Sequence, residues 1–307
     1  MKETDRSLRV SGALAVALAV AISLPFETVT AQAPGGRGGR GGFNIAPDPR
    51  VQQRSYTLSA TNEEMKFALF VSSKVSKDQK APLIVALHGL GGDGNSLLRG
   101  ASLELAEAGG YILVGPMGYN PSGWFGSPVI VMGGRRGRGG PPGGAGAAAA
   151  PAAPAPAAPA GPTPERLAEL SELDVRTVIK MIREEFTVDD DRTYLMGHSM
   201  GGAGALFLGQ KYANEWAAVA AIAPAAFMMQ ANSAQILQPM KKAGVPVMIV
   251  QGGADNVVPA TNTRAWVESL KSLEMEHKYV EFPQGDHGNV ITDGMPGIFD
   301  FFKANTR

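Results

Sequence analysis

The chain has 307 residues, 44% of them hydrophobic, and its 28 basic and 28 acidic residues cancel at neutral pH. That length holds one large domain or two small ones, and a formal charge of zero leaves no global field to draw in nucleic acid or an anionic surface. Cysteine is absent, which excludes disulfides, thiolate metal sites and a cysteine nucleophile.

The N-terminus reads as a signal peptide over residues 1–33. Lys2, Arg6 and Arg9 form a basic start, an apolar run follows from Val10 to Phe26, and Ala31-Gln32-Ala33 supplies the small-x-small pattern of a cleavage site. The run is short for a membrane span, which takes about 20 residues, so export to the periplasm or the medium is expected, with no stable span after cleavage. Residues 34–48 form a Gly/Arg-rich flexible leader, whose two arginines neutralise too little phosphate for nucleic-acid binding. A second biased segment at about 133–163 alternates Pro and Ala. Such a run can neither continue a helix nor pair in a central strand, so it reads as a disordered or extended insertion in a domain covering 49–307.

The remaining elements alternate in type. Strands are predicted at 56–59 and 65–71, antiparallel to one another, followed by the continuous apolar run PLIVAL at 82–87, a strand covered on both faces. A helix over 96–108 and a strand at 111–114 precede the insertion. Thr163-Pro164-Glu165 then gives an N-cap, a first-turn proline and an early acid, opening a helix with Leu167, Leu170, Val178, Ile179 and Ile182 at helical spacing. Further strands are predicted at 193–196, 217–222, 245–250 and 278–282, and helices at 200–212, about 261–272 and 295–304. Strands alternating with helices imply an α/β fold, a mainly parallel sheet of about eight strands with helices on both faces.

The sharpest motif is Gly197-His198-Ser199-Met200-Gly201, between a strand and a helix. A serine there sits on a tight, strained turn with its hydroxyl exposed and a helix N-terminus behind it. That hydroxyl needs a base, and the chain has four histidines. His198 adjoins the serine and should point away from it. His88 ends the PLIVAL strand, nearer the oxyanion position and the substrate, and His277 lies at the wrong end of a parallel strand. His287, in the loop after the last strand, is the candidate base, because sites in open α/β sheets form at the carboxyl edge. Between serine and histidine the aspartates are Asp255 and Asp286. Asp286 adjoins His287 and reaches its ring poorly, whereas Asp255 follows a strand at the carboxyl edge and is the candidate acid. Backbone N–H groups of Leu90, in the Gly-rich turn HGLGG, and of Met200 are the expected oxyanion donors. HGLGG is followed by no GK[ST] and is not GxGxxG, so no nucleotide site is expected. Tyr119, Trp124 and Phe125, just before the insertion, are candidates for the substrate pocket.

HGLGG, GHSMGG, QGGADNVVP and GDHG together resemble the secreted esterase branch of the α/β hydrolases. That branch includes feruloyl esterases and polyhydroxybutyrate-depolymerase-like enzymes, with phospholipase/carboxylesterase and prolyl-oligopeptidase-type catalytic domains as relatives. The resemblance covers roughly residues 55–130 and 164–307. It implies an exported serine hydrolase that cleaves a small or polymeric carboxylic ester through Ser199, His287 and Asp255, without cofactor or metal. Two departures stand out: Gln251 occupies a place where many relatives have histidine, with no catalytic consequence expected, and the Pro/Ala insertion is foreign to the pattern. A serine peptidase acting on short peptides is the alternative enzyme, disfavoured for want of a large gating domain, and a non-catalytic binding protein on the same scaffold is the alternative of another class.

Overall fold

The computed structural model describes residues 46–128 and 162–307. The expected signal peptide, nearly all of the leader and nearly all of the insertion lie outside the described residues. The first half comprises β1 (Gln52–Leu58), β2 (Glu63–Val71), β3 (Ala81–Leu87), α1 (Ala101–Gly109), β4 (Ile112–Pro116), α2 (Pro164–Glu185) and β5 (Val188–His198). The second comprises α3 (Met200–Lys211), β6 (Ala218–Ile222), α4 (Ser233–Ala243), β7 (Val247–Gly252), α5 (Ala260–Ser272), β8 (His277–Phe282) and α6 (Asn289–Ala304). The eight strands form one sheet in the order β1-β2-β4-β3-β5-β6-β7-β8. β2 runs antiparallel to both β1 and β4, and every other pairing is parallel.

Period-two alternation along the strands divides the core into two layers. On β3, Leu83, Val85 and Leu87 point into a layer closed by α2, α3, α4 and α5, while Ile84 and Ala86 point into one closed by α1 and α6. On β7, Val247 and Ile249 take the first side, Met248 and Val250 the second. Both faces of the central strands are thus covered, which is why PLIVAL can be apolar throughout.

The boundaries differ from the sequence reading where local polar contacts decide them. The helix predicted from 96 begins at Ala101, because Asp93, Ser96 and Asn95 form side-chain-supported turns and Gly100 adopts φ +52°. β5 extends back to Val188 through the largely exposed Asp189–Arg192 stretch, and α6 begins at Asn289. α4 has no counterpart among the predicted helices: it contains Pro239 and buries only Ser233, Leu237 and Met240. The start of α2 follows its sequence signal, with Pro164 in the first turn and the Thr163 side chain accepting from the Arg166 N–H at 3.2 Å.

α2 is joined to the sheet by one buried carboxylate. Asp174 is fully buried, accepts from the Tyr56 hydroxyl at 2.5 Å and from the Gly118 N–H at 2.6 Å, and so links β1, α2 and the loop after β4. Desolvation raises its pKa, and these donors act in the opposite direction. Replacing it with leucine leaves two donors without an acceptor. Asp174→Leu is expected to lower unfolding stability by about 2–4 kcal/mol in urea titration; an unchanged midpoint would show that the link carries no stability.

Candidate active site

The parallel strands end together, and the loops leaving their carboxyl ends meet above the sheet. β3 leads into the turn at 88–92, β5 into Ser199, β7 into the Asp255 loop and β8 into the His287 loop.

Ser199 lies between β5 and α3 with φ +56° and ψ −115°, a conformation unfavourable for any residue with a Cβ. Its surroundings fix it there. The Ser199 N–H donates to the Ile222 carbonyl at 2.9 Å, and its own carbonyl accepts from the N–H groups of Ala203 and Ala225 at 3.1 and 2.9 Å. A Cβ on Gly197 would lie 2.0 Å from the Gly201 carbonyl oxygen, and one on Gly201 would lie 2.1 Å from that of Leu87. The two motif glycines are therefore required by contact between the first turn of α3 and the ends of β3 and β5.

Ser199, His287 and Asp255 are brought together in a hydrogen-bonded chain. His287 Nε2 lies 2.9 Å from Ser199 Oγ, and Nδ1 lies 2.7 Å from Asp255 Oδ2. A carboxylate only accepts, so Nδ1 carries the proton and Nε2 is free to accept from the serine. The Asp255 side chain is wholly buried, and its other oxygen accepts from the N–H groups of Val257 and Val258, both at 2.8 Å. Asp286, set aside from the sequence, caps α6 instead, accepting from the N–H groups of Gly288 and Asn289.

Gln251 is closer to this chemistry than the sequence reading expected. It is fully buried, its amide donates to the Val258 carbonyl at 2.9 Å and approaches Asp255 Oδ2 at 3.4 Å, and its oxygen accepts from Thr263 at 2.6 Å. It thereby braces the loop that orients the carboxylate. Its place at the end of β7, four residues before the acid, was the available signal.

The turn at 88–92 passes against the serine: a Cβ on Gly89 would stand 3.4 Å from Ser199 Cβ and 3.1 Å from His198 Nδ1. Leu90, in that turn, is exposed, while Met200 opens α3. Neither N–H donates to an acceptor among the described residues, so both are free for a ligand oxygen. His198 is directed away from the serine hydroxyl, as expected, and its Nε2–H donates to the backbone carbonyl of His287 at 2.8 Å. Burial first, and then the neighbouring His287, lower its pKa to about 4.

A cavity of about 760 Å³ opens on Ser199 and His287, with Leu90, Trp124, Phe227, Val257 and Ile291 in its mostly apolar wall. Of the four tentative substrate residues, Trp124 lines it. The other three do not. His88 is buried, with its ring nitrogens 2.8 and 2.9 Å from the carbonyls of Gly89 and Met117, so it fastens the turn. Phe125 is wholly buried against the His88 ring, and Tyr119 donates to Glu63 at 2.8 Å on another side. The physical reason lies in the backbone: Tyr119, Trp124 and Phe125 all have positive φ, from +50° to +68°, so their side chains depart from the directions an ordinary loop would give. No group of His, Asp or Glu among the described residues could hold a metal ion, and among them no helix is long and apolar enough to cross a membrane.

Comparison with known proteins bears on the fold. Residues 174–290 match the Esterase family. A thermostable esterase structure is similar at 20% identity with a TM-score of 0.57, over 84% of this chain and 64% of that one. An S-formylglutathione hydrolase from Agrobacterium tumefaciens is similar at 16% identity with a TM-score of 0.57, over 84% and 95% of the two chains. A ferulic acid esterase from Anaeromyces mucronatus, in complex with ferulic acid, is similar at 17% identity with a TM-score of 0.56, over 86% and 93%. The chain has the α/β-hydrolase fold, and residues 174–290 within it match the esterase family model. No curated protein matches it by sequence.

In this fold, His198 connects the strand-to-helix turn with the histidine loop. His198→Phe removes the donor that holds the His287 carbonyl and is expected to lower kcat/KM for a small ester by about tenfold, whereas His198→Gln, which keeps an amide N–H, recovers most of it. Its pKa also couples stability to pH. The unfolded imidazole takes up a proton near 6.5 and the folded one only near 4, so acidification through that window favours the unfolded chain. Urea midpoints measured from pH 7 to pH 5 should fall more steeply for the wild type than for His198→Gln; parallel declines would exclude this contribution.

Proposed function

We propose that the protein hydrolyses carboxylic esters in two steps through an acyl-enzyme, with Ser199 as nucleophile, His287 as general base and acid, and Asp255 as the orienting carboxylate. The observation that carries this reading is the unbroken chain of 2.9 and 2.7 Å contacts from hydroxyl to imidazole to buried carboxylate. Ser199 Oγ attacks the ester carbonyl as its proton passes to His287 Nε2. Charge develops on the carbonyl oxygen where the N–H groups of Leu90 and Met200 are available, and the positive end of α3 favours it. His287 then gives the proton to the departing alkoxide oxygen. Water, deprotonated by the same imidazole, attacks the acyl-enzyme, and the proton returns to Ser199 as the acid leaves.

The apolar cavity wall supports short-chain or aromatic acyl groups, and the similarity to a ferulic acid esterase supports including aryl esters among those tried. Export rests on the sequence of residues 1–33, and N-terminal sequencing of protein recovered outside the cytoplasm should give a chain beginning at Pro34.

A fluorophosphonate probe should label the wild type and leave Ser199→Ala unlabelled; labelling that persists would refute the nucleophile assignment. Asp255→Asn should lower kcat by about 10⁴ through the wrong imidazole tautomer, without loss of fold by circular dichroism. Trp124→Ala should change kcat/KM unequally across a panel of short-chain and aromatic esters, and an equal change on all of them would remove Trp124 from substrate selection.

A further inference from the structure

The cavity at Ser199 continues into a second hollow. Ser96, Arg99 and Ile291 belong to the walls of both, and the second, of about 480 Å³, runs on between the first turns of α1 and α6, past Gly100, Ser102 and Thr292. Most of this continuous wall is apolar or uncharged. Arg99 is the one permanently charged side chain in either wall.

Arg99 is one of two arginines among the described residues without a carboxylate partner, the other being Arg307, which reaches the Asn214 carbonyl. Seven other arginines of the described residues hold a carboxylate within salt-bridge distance. Arg99 has no such partner among the described residues, and its side-chain bond runs from Nε to the Asn95 carbonyl at 3.3 Å. That bond holds the guanidinium at its inner nitrogen and leaves both terminal nitrogens without an acceptor among the described residues. Residues 129–161 contain no aspartate or glutamate, and the acidic residues preceding the described region all fall within residues 1–33. α1 begins two residues after Arg99, so the positive end of its dipole lies on the same side of the groove. Asp286, the carboxylate of the histidine loop, is engaged by the N–H groups that open α6.

We propose that Arg99 is a specificity-determining residue and that the groove selects esters carrying a carboxylate remote from the scissile bond, such as monoesters of dicarboxylic acids or hydroxyacid oligomers with a free acid end. This deepens the ester-hydrolase reading and rests on it for the position of the reacting carbonyl. A guanidinium offers a planar pair of N–H donors that fits a carboxylate in two parallel hydrogen bonds, and the apolar wall on the way to Ser199 accommodates the connecting chain. Arg99 takes no part in bond breaking: it touches the distal end of the substrate and sets where the carbonyl comes to rest.

The test compares 4-nitrophenyl monoesters of dicarboxylic acids, from succinate to adipate, with neutral 4-nitrophenyl esters of matching chain length. The wild type should prefer the anionic ester at one or more lengths, and Arg99→Met should reduce that anionic-to-neutral ratio of kcat/KM by about five- to tenfold while neutral esters change less than about twofold. Arg99→Lys should retain part of the preference, and rising salt should weaken it. Calorimetry of methyl monoesters binding to Ser199→Ala, with and without Arg99→Met, reads the groove without turnover and should give the same ratio. A wild type without anionic preference, or a ratio and binding constant indifferent to Arg99→Met, overturns the proposal. Loss of all ester turnover in the wild type with anion binding intact would instead count against the hydrolase reading and leave the groove assignment supported.

Discussion

The architecture of the site depends on how closely α3 is allowed to approach the end of the sheet. Gly197 and Gly201 have no space for a methyl group: the would-be Cβ atoms fall about 2 Å from carbonyl oxygens of Gly201 and Leu87. That closeness forces the chain to reverse within a single residue, and Ser199 takes the positive φ that results. Strain of this kind costs on the order of 1–3 kcal/mol and persists because three backbone hydrogen bonds hold Ser199 on both sides. The reversal lifts the serine side chain off the sheet edge, and it also leaves the Met200 N–H, the first of α3, with no carbonyl behind it. One steric constraint thus delivers a presented hydroxyl and an unpaired donor beside it.

The other two members of the hydrogen-bonded chain are held by a different means. A carboxylate out of contact with water is tolerable only when its oxygens are engaged, and Asp255 receives two backbone N–H groups of its own loop as well as the imidazole. Gln251 and Thr263 brace the same loop from below. The imidazole is constrained at its backbone as well, through His198. These supports hold the three groups at hydrogen-bond distance, and in catalytic sites in general a misplacement of about 1 Å can cost up to a hundredfold in rate.

The fold was legible in the sequence because the elements that determine it announce themselves by period and position. PLIVAL reads as a strand buried on both faces, and the two layers of core it feeds account for that reading. The three residues of the hydrogen-bonded chain were legible for a different reason: so few histidines and aspartates lie in the interval that topology separates them. What stayed hidden depended on backbone conformations that residue types do not specify. Trp124 and Phe125 are adjacent and both adopt left-handed φ in a short 3-10 turn, yet one borders the cavity and the other is wholly buried. His88 looked like a substrate contact from its place at a strand end, but the carbonyls of Gly89 and Met117 capture its ring. α4 went unseen because Pro239 within it and its few buried apolar residues weaken the helical pattern.

His88 also shows how the apolar domain and the site are joined. Its two ring contacts are both with carbonyl oxygens, which only accept, so a neutral ring, with a single N–H, satisfies one of them and only a doubly protonated ring donates to both. Either way the imidazole spans the turn that carries Leu90 and the loop that carries Trp124, and its edge packs on Phe125. The loop after β4 is fastened again from the far side by Asp174, through the Gly118 N–H. A buried polar link is more specific than an apolar contact, since its distances and directions are fixed. The turn and the loop that wall the cavity facing Ser199 are therefore fastened by two polar links beneath it, whose directions do not depend on the apolar side chains that border the opening.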